Sequence, residues 1–196
     1  MAEQNNIRKV MSGHPLVPVV TFKEADDPRQ LMNYLIENDI HCIEVTLRTP
    51  QGIKAIATLR KTYGASILVG AGTVTTTSQV DELKEVGVDF LVSPGITSSL
   101  QKAMQASGIP YLPGVATPGE ILKAMEMGLR TLKFFPANLF GGLDALKAYE
   151  QVFPDIQFCP TGGVTQDTCQ DYLALRNVFA VGGTWFQKQF SIKARP

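Results

Sequence analysis

The repeating unit of the chain is clearest in residues 67–94, which read ILVGAGTVTTTSQVDELKEVGVDFLVSP. A β-rich run at 67–73 is followed by a segment with helical periodicity at 78–86, then by Gly87 and a second apolar run at 90–94. Glycine often stops a helix, and short apolar runs bounded by turn signals are typical of buried strands. The stretch therefore predicts a strand–helix–strand unit of the kind that builds parallel sheets.

The same alternation continues along the chain at a spacing of roughly 20 to 25 residues. It predicts eight strands, at residues 17–22, 42–47, 67–73, 90–94, 111–115, 131–136, 157–161 and 178–182. Helical periodicity between them is clearest at residues 28–38, 50–62, 78–86 and 118–127. Eight such units without a break in composition predict a single α/β domain over residues 1–196, a (β/α)8 TIM barrel. An open doubly wound sheet is the alternative.

Both ends of the chain modify this simple barrel. Residues 4–11 predict an extra N-terminal helix that covers the barrel floor, and only residues 185–196 follow the last strand. We therefore expect the final helix to be short or truncated.

Composition narrows the class of protein. Lys plus Arg and Asp plus Glu are 18 each, so the formal net charge is zero, and we expect neither nucleic acid nor a membrane surface as a partner. The N-terminus lacks the apolar core of a secretory signal, and no apolar run reaches the roughly 20 residues of a membrane span. The three cysteines show no paired spacing, so a cytoplasmic location is expected, without disulfides.

Strand two, at 42–47, places polar side chains on an inward face. Glu44, Thr46 and Arg48 alternate with apolar residues and so share one side of the strand. A carboxylate and a guanidinium inside a barrel are expensive to desolvate unless they are paired or used. Two interpretations stay open: a structural Glu44–Arg48 ion pair, and a functional carboxylate.

Strand six, in the run Thr131-Leu132-Lys133-Phe134-Phe135-Pro136, carries a lysine among apolar residues. An amine in such surroundings loses its charge more easily and becomes a nucleophile at neutral pH. The alternative is a lysine whose stem packs inside while its head reaches solvent. Lys133 together with Glu44 favours imine chemistry, which needs both an amine and a proton shuttle.

Two glycine pairs follow the last two strands, in Thr161-Gly162-Gly163 and Gly182-Gly183-Thr184. Barrels often bind phosphate at these two loops through backbone amides and a helix N-terminus, although either pair alone is more often a simple turn. His14 and His41 are the only histidines, and neither lies at the expected site. A metal centre is therefore not expected.

These motifs, taken in order along the strands, resemble the 2-keto-3-deoxy-6-phosphogluconate (KDPG) and 4-hydroxy-2-oxoglutarate (KHG) aldolases. The resemblance runs from about residue 16 to residue 185 and rests on five motifs: Glu44-Val45-Thr46-Leu47-Arg48-Thr49, Val69-Gly70-Ala71-Gly72-Thr73-Val74, Ser93-Pro94-Gly95, Lys133-Phe134-Phe135-Pro136-Ala137 and Pro160-Thr161-Gly162-Gly163. It implies a metal-free class I aldolase that needs no cofactor and assembles as a homotrimer.

The resemblance also implies a role for each matching position. Lys133 would form the imine with the keto acid and Glu44 would move protons through a water. Near the pyruvyl group would lie Arg48, Thr73, Pro94 and Phe135. At the far end of the substrate, a phosphate in the phosphogluconate type, would lie Thr161, Gly162, Gly163, Gly183 and Thr184.

The reaction implied is the reversible cleavage of KDPG to pyruvate and glyceraldehyde 3-phosphate, and also of KHG to pyruvate and glyoxylate. The alternatives are an aldolase for an unphosphorylated or galactonate-derived keto acid, and a non-catalytic phosphate-binding barrel. The chain departs from the phosphogluconate pattern at Asn138, where an acidic residue is common, and at Thr184, where serine is frequent.

Overall fold

The computed structural model describes residues 6–193, and its framework is a set of short parallel strands. The strands are β1 (Leu16–Val20), β2 (Cys42–Thr46), β3 (Leu68–Gly72), β4 (Phe90–Val92), β5 (Tyr111–Leu112), β6 (Gly114–Val115), β7 (Thr131–Phe134), β8 (Gln157–Pro160) and β9 (Val181–Gly183). All eight predicted strands are present, with the fifth divided into β5 and β6 at Pro113.

The strands form a six-stranded sheet in the order β5-β4-β3-β2-β1-β9 and a three-stranded sheet in the order β6-β7-β8. Every pair is parallel, as the strand–helix alternation requires. At one side the sheets are continuous through Pro113, and at the other side isolated parallel bridges join Phe158 to Val178 and Thr161 to Gly182. The fold is therefore α/β, with its parallel strands in a curled sheet.

Helices follow the strands. They are α1 (Ile7–Val10), α2 (Pro28–Glu37), α3 (Gln51–Tyr63), α4 (Thr77–Val86), α5 (Ser98–Ser107), α6 (Pro118–Glu126), α7 (Gly142–Val152), α8 (Cys169–Leu173) and α9 (Trp185–Lys193), with 3-10 turns at Gly64–Ser66 and Ala137–Phe140. The predicted N-terminal helix matches α1, although residues 4 and 5 lie outside the described residues. The last helix, α9, has 9 residues and is short, as expected, with residues 194–196 also outside.

Two apolar clusters lie on the two faces of the strands. Ile43 and Val45 of β2 belong to the larger cluster, in which strands pack against helices, whereas Cys42 belongs to a smaller cluster on the opposite face. Ile7 joins the smaller cluster, so α1 covers that face at the amino ends of the strands. The period-two alternation of β2 therefore points Glu44 and Thr46 to the same inner side as Cys42.

Within residues 6–193, every helix is too short or too polar to span a bilayer.

Candidate active site

Lys133 and Glu44 form an ion pair inside the curled sheet. Nζ of Lys133 lies 3.2 Å from Oε1 of Glu44, and the side chains are only 6% and 4% exposed. Lys133 therefore does not extend to solvent, and the ionic partner of Glu44 is Lys133 rather than Arg48. Removing either partner would leave a buried charge uncompensated, which costs about 3–5 kcal/mol in comparable pairs.

The carboxylate of Glu44 has room because Gly72 lies beside it. A Cβ atom at Gly72 would overlap Glu44, with Oε1 as the nearest atom. Gly72 is the last residue of β3 and pairs with Thr46 of β2, so the Glu44 side chain leans along its own strand toward the carboxyl ends. Gly72 belongs to one of the five motifs in the sequence, and a glycine that ends a strand is a signal of close approach by a neighbouring group.

Arg48 and Thr73 lie together at the ends of β2 and β3. Nε of Arg48 donates to Oγ1 of Thr73 over 3.3 Å, and the guanidinium side chain is exposed. Thr73 has a φ of 60°, in the left-handed region that β-branched residues rarely adopt. Such backbone strain persists only where surrounding contacts hold it, and it often marks functional sites. Within the described residues, no hydrogen bond or ion pair joins Arg48 to Lys133 or Glu44.

Phe135 directly follows β7, the strand that carries Lys133, and Pro94 lies two residues after the end of β4. Nζ of Lys133 lies 5.2 Å from the centroid of the Phe135 ring, within the range of a cation–π contact. The Pro94 carbonyl oxygen occupies the space beside Gly114, where it would overlap a Cβ. Pro94 and Phe135 are both half-buried, so part of the surface of each stays accessible.

The first glycine loop, residues 161–163, is fastened to the chain that leaves β7. Ala137 donates its N–H to the Thr161 carbonyl over 2.9 Å, and Asn138 donates to the Gly162 carbonyl over 3.1 Å. Gly162 and Gly163 have φ values of 94° and 74°, which suit glycine far better than other residues. The loop therefore lies beside the segment that follows Lys133.

The second loop ends β9 and leads into α9. Thr161 forms a parallel bridge with Gly182, and its side chain fills the space beside the Gly182 Cα. The two glycine loops, predicted from separate stretches of sequence, are thus neighbours. Gly183 is buried and Thr184 is exposed, and the helix follows at once with Trp185.

The other ionisable groups near the interior are thiols. Burial raises the pKa of Cys159 to about 12, and nearby Lys133 opposes this rise. Burial also raises the pKa of Cys42, with Glu44 contributing in the same direction. Both thiols are therefore protonated at neutral pH and serve as small apolar residues. Within residues 6–193, no group of three or more His, Cys, Asp or Glu side chains is arranged to hold a metal ion.

Comparison with known proteins shows the family to which the chain belongs. Residues 7–195 match the model of the "KDPG and KHG aldolase" family. The KHG/KDPG aldolase of Escherichia coli K12 is 37% identical over 191 residues, which cover 97% of this chain and 89% of that protein.

Two solved structures share the fold. A Legionella pneumophila KDPG aldolase with pyruvate captured as a covalent carbinolamine intermediate has a TM-score of 0.90 and 42% identity, covering 96% of this chain and 91% of that one. A Zymomonas mobilis 2-keto-3-deoxy-6-phosphogluconate aldolase with 3-phosphoglycerate has a TM-score of 0.88 and 35% identity, covering 96% and 93%.

A parallel α/β fold with a buried lysine–glutamate pair at its centre places the protein among the lyases that act as aldolases. The chain belongs to the KDPG and KHG aldolase family, as the resemblance in its sequence predicted.

Proposed function

We propose that the chain is a class I aldolase that cleaves 2-keto-3-deoxy-6-phosphogluconate to pyruvate and glyceraldehyde 3-phosphate, with Lys133 as the imine-forming residue. The observation that carries this proposal is the buried contact of 3.2 Å between Nζ of Lys133 and Oε1 of Glu44. It gives a desolvated amine its own proton acceptor, and imine chemistry requires both groups.

The reaction begins when Glu44 accepts a proton from Lys133, so that the amine lone pair can attack the keto carbon. The resulting carbinolamine loses water to give a protonated imine, which withdraws electrons from the neighbouring carbon. Cleavage of the C3–C4 bond releases the aldehyde and leaves an enamine on the lysine. Protonation of the enamine and hydrolysis of the imine then release pyruvate and restore Lys133.

Glu44 serves the later proton transfers of this cycle through a water, because its carboxylate lies beside the lysine and has no other ionic partner within the described residues. The pyruvyl carboxylate is bound near Arg48 and Thr73, whose side chains already contact each other. Pro94 and Phe135 pack beside the methylene and carbonyl groups of the pyruvyl part.

The far end of the substrate is held by Thr161, Gly162, Gly163, Gly183 and Thr184. The proximity of the two loops supports this assignment, since backbone amides at glycine loops and at a helix N-terminus are suited to phosphate. The Zymomonas enzyme that resembles this chain was solved with 3-phosphoglycerate, a phosphorylated ligand. We also propose KHG as a substrate, because the E. coli relative carries both names and the pyruvyl end is common to both reactions.

The architecture we propose is a single (β/α)8 barrel over residues 1–196. It is supported by the two connections between the sheets, at Pro113 and at the bridge between Thr161 and Gly182.

We further propose that the chain assembles as a homotrimer. Leu139 and Phe140, in the turn that follows β7, are 74% and 44% exposed, and Val152 at the end of α7 is 65% exposed, so apolar surface is available for subunit contact.

Borohydride reduction in the presence of pyruvate tests the mechanism. We expect a covalent pyruvyl adduct on the peptide that contains Lys133, and none in Lys133→Met. Lys147→Met is the matched control, because Lys147 is an exposed lysine on α7. Glu44→Gln should still trap pyruvate, only slowly, and should lose aldol cleavage.

A buried Glu44 without its partner can unfold the Lys133→Met variant, so a double variant with Glu44→Gln removes both charges. Circular dichroism then separates loss of folding from loss of chemistry. A folded wild-type chain that traps no pyruvate, under conditions that label a known class I aldolase, overturns the mechanism. Equal turnover of phosphorylated and unphosphorylated substrates would instead favour the alternative aldolase, and trapping without any turnover would favour a binding protein.

A further inference from the structure

The side chain of Gln187, on α9, pairs with both backbone groups of a single residue on the opposite end of the chain. Its Nε2 donates to the Thr21 carbonyl over 3.0 Å, and the Thr21 N–H donates to its Oε1 over 3.3 Å. The carboxamide thus completes a pair of reciprocal hydrogen bonds across a sequence separation of 166 residues. Two such bonds fix both the distance and the orientation of α9 relative to β1.

Thr21 lies immediately after β1, at the pyruvyl end of the proposed site. Its hydroxyl lies 2.7 Å from the hydroxyl of Thr46, which is fully buried. Thr46 belongs to β2 and shares the inner face with Glu44. The contact with Thr46 anchors Thr21 to the inner face of the sheet, so Thr21 is the fixed partner to which Gln187 attaches α9.

The same first turn of α9 that carries Gln187 is also attached to the second glycine loop. The Trp185 ring occupies the space in which a Gly183 side chain would lie, and Lys188 donates its N–H to the Thr184 carbonyl over 3.4 Å. The loop and the first turn of α9 therefore move as one piece. Pairing of β9 with β1 ends at Gly183 and Pro18, so Gln187 extends this attachment beyond the last ladder contact.

We propose that Gln187 is a positioning residue that sets how far the distal-group loop at Gly183 and Thr184 stands from the pyruvyl end of the site. This inference rests on the proposed function, since it concerns a substrate that spans both ends. A substrate that occupies only the pyruvyl end, such as pyruvate itself, does not depend on that distance. Gln187 thus acts on the affinity for the longer, phosphorylated substrate and leaves imine formation alone.

The test compares Gln187→Met with wild type in two assays. Methionine keeps the length and packing of the side chain and removes both hydrogen bonds. We expect KM for 2-keto-3-deoxy-6-phosphogluconate to rise about fivefold to tenfold, as the loss of one or two net hydrogen bonds implies. The rate of borohydride trapping with pyruvate should stay within about twofold of wild type, a split that general destabilisation of the fold would not produce.

Gln189→Met is the matched control, because Gln189 lies on the same helix and contacts Gln166 instead of β1. It should leave both assays unchanged. Thr21→Val removes the hydroxyl but keeps the backbone pair with Gln187, so it should leave KM within about twofold of wild type. A rise in KM equal to that of Gln187→Met would show that the hydroxyl contact, not the backbone pair, carries the effect, and would overturn the assignment to Gln187.

An unchanged KM in Gln187→Met, or an equal loss of pyruvate trapping, also overturns the inference. These outcomes are separate from failure of the proposed function, which would show as a wild-type chain that neither traps pyruvate nor cleaves the phosphorylated substrate.

Discussion

The two ends of the proposed site differ in the groups that form them: side chains at one end and backbone at the other. The pyruvyl end consists of side chains on strands, with Lys133 and Glu44 buried and in contact. The distal end consists of backbone in loops, where Gly162 and Gly163 adopt positive φ and Gly163 is exposed. A charged side chain on a strand is held by the packing on both sides of it, whereas a loop is held by only a few hydrogen bonds.

This difference separates two tasks. Chemistry needs a fixed distance between an amine and a carboxylate, and the parallel ladder provides it. Recognition of the far end needs donors that follow the shape of the ligand, and a glycine loop supplies backbone amides without side chains in the way. We therefore expect substitutions at the pyruvyl end to reduce turnover and substitutions at the distal end to reduce affinity for the substrate.

The largest effect is expected from Gly72→Ala. The added methyl would overlap Oε1 of Glu44 and push the carboxylate away from Lys133. A displacement of about 1 Å can lower a rate about 100-fold, so we expect kcat to fall by about that factor. Steady-state cleavage and the rate of pyruvate trapping would both report the change.

Gly119→Ala is the control for that experiment, since a Cβ at Gly119 meets no atom within 4 Å. If Gly72→Ala kept the wild-type kcat, the pyruvyl end would tolerate substitution as well as the loops do. The contrast between the two ends would then be lost.

A smaller effect on a different constant is expected from Gly163→Ala. The substitution forces a residue with a Cβ into a φ of 74° and against the Asn138 side chain. We expect KM for the phosphorylated substrate to rise about tenfold, equivalent to about 1.4 kcal/mol, with the rate of pyruvate trapping unchanged.

Gly128→Ala separates this local effect from backbone strain in general. Gly128 has a φ of 80°, and a Cβ there meets nothing within 4 Å, so it carries a similar strain outside the site. It should lower the thermal midpoint without changing KM. A tenfold loss of trapping in Gly163→Ala would contradict the division of tasks.

The smallest effect is expected from Glu120→Gln, because Glu120 lies outside both ends of the proposed site. Burial raises the pKa of Glu120, but hydrogen bonds from Ala116 and Thr117 outweigh it and hold the pKa below its usual value. A lowered pKa means that the charge stabilises the fold at neutral pH, and that this contribution is lost as the pH falls through the range where the carboxyl protonates.

Glutamine keeps the capping box of α6 but carries no charge. We expect it to lower the free energy of unfolding by about 0.5 kcal/mol at pH 7 and to leave it unchanged in acid. Urea unfolding at several pH values measures this difference, and a gap that stayed constant down to acidic pH would contradict the role of the charge.

Much of the fold follows from local pattern, because each strand is followed by its own helix. Where the observed strands differ from the predicted ones, the cause is a contact that the local pattern does not describe. Pro113 lacks an N–H, and its carbonyl accepts from Lys133, so the fifth strand divides there. The eighth strand begins at Val181 rather than at residue 178, because the N–H of Val178 is used in a turn with the Leu175 carbonyl.

The site was predictable where a residue type is unusual for its place. Lys133 and Glu44 stand out as charges on apolar strands, and the structure brings them together. Thr21, Gln187 and Gly72 do not stand out, since threonine, glutamine and glycine are ordinary at strand ends, turns and helices. Their importance depends on neighbours distant in sequence, which composition and periodicity do not describe.

Burying Lys133 and Glu44 together also has an electrical consequence. Moving a proton from Nζ to Oε1 leaves the total charge of the interior unchanged. The proposed iminium would likewise form next to a carboxylate, while the carboxylate of the incoming keto acid would meet Arg48. Each charge created during the cycle thus has its counter-charge in place, and no separate counter-ion needs to accompany the substrate.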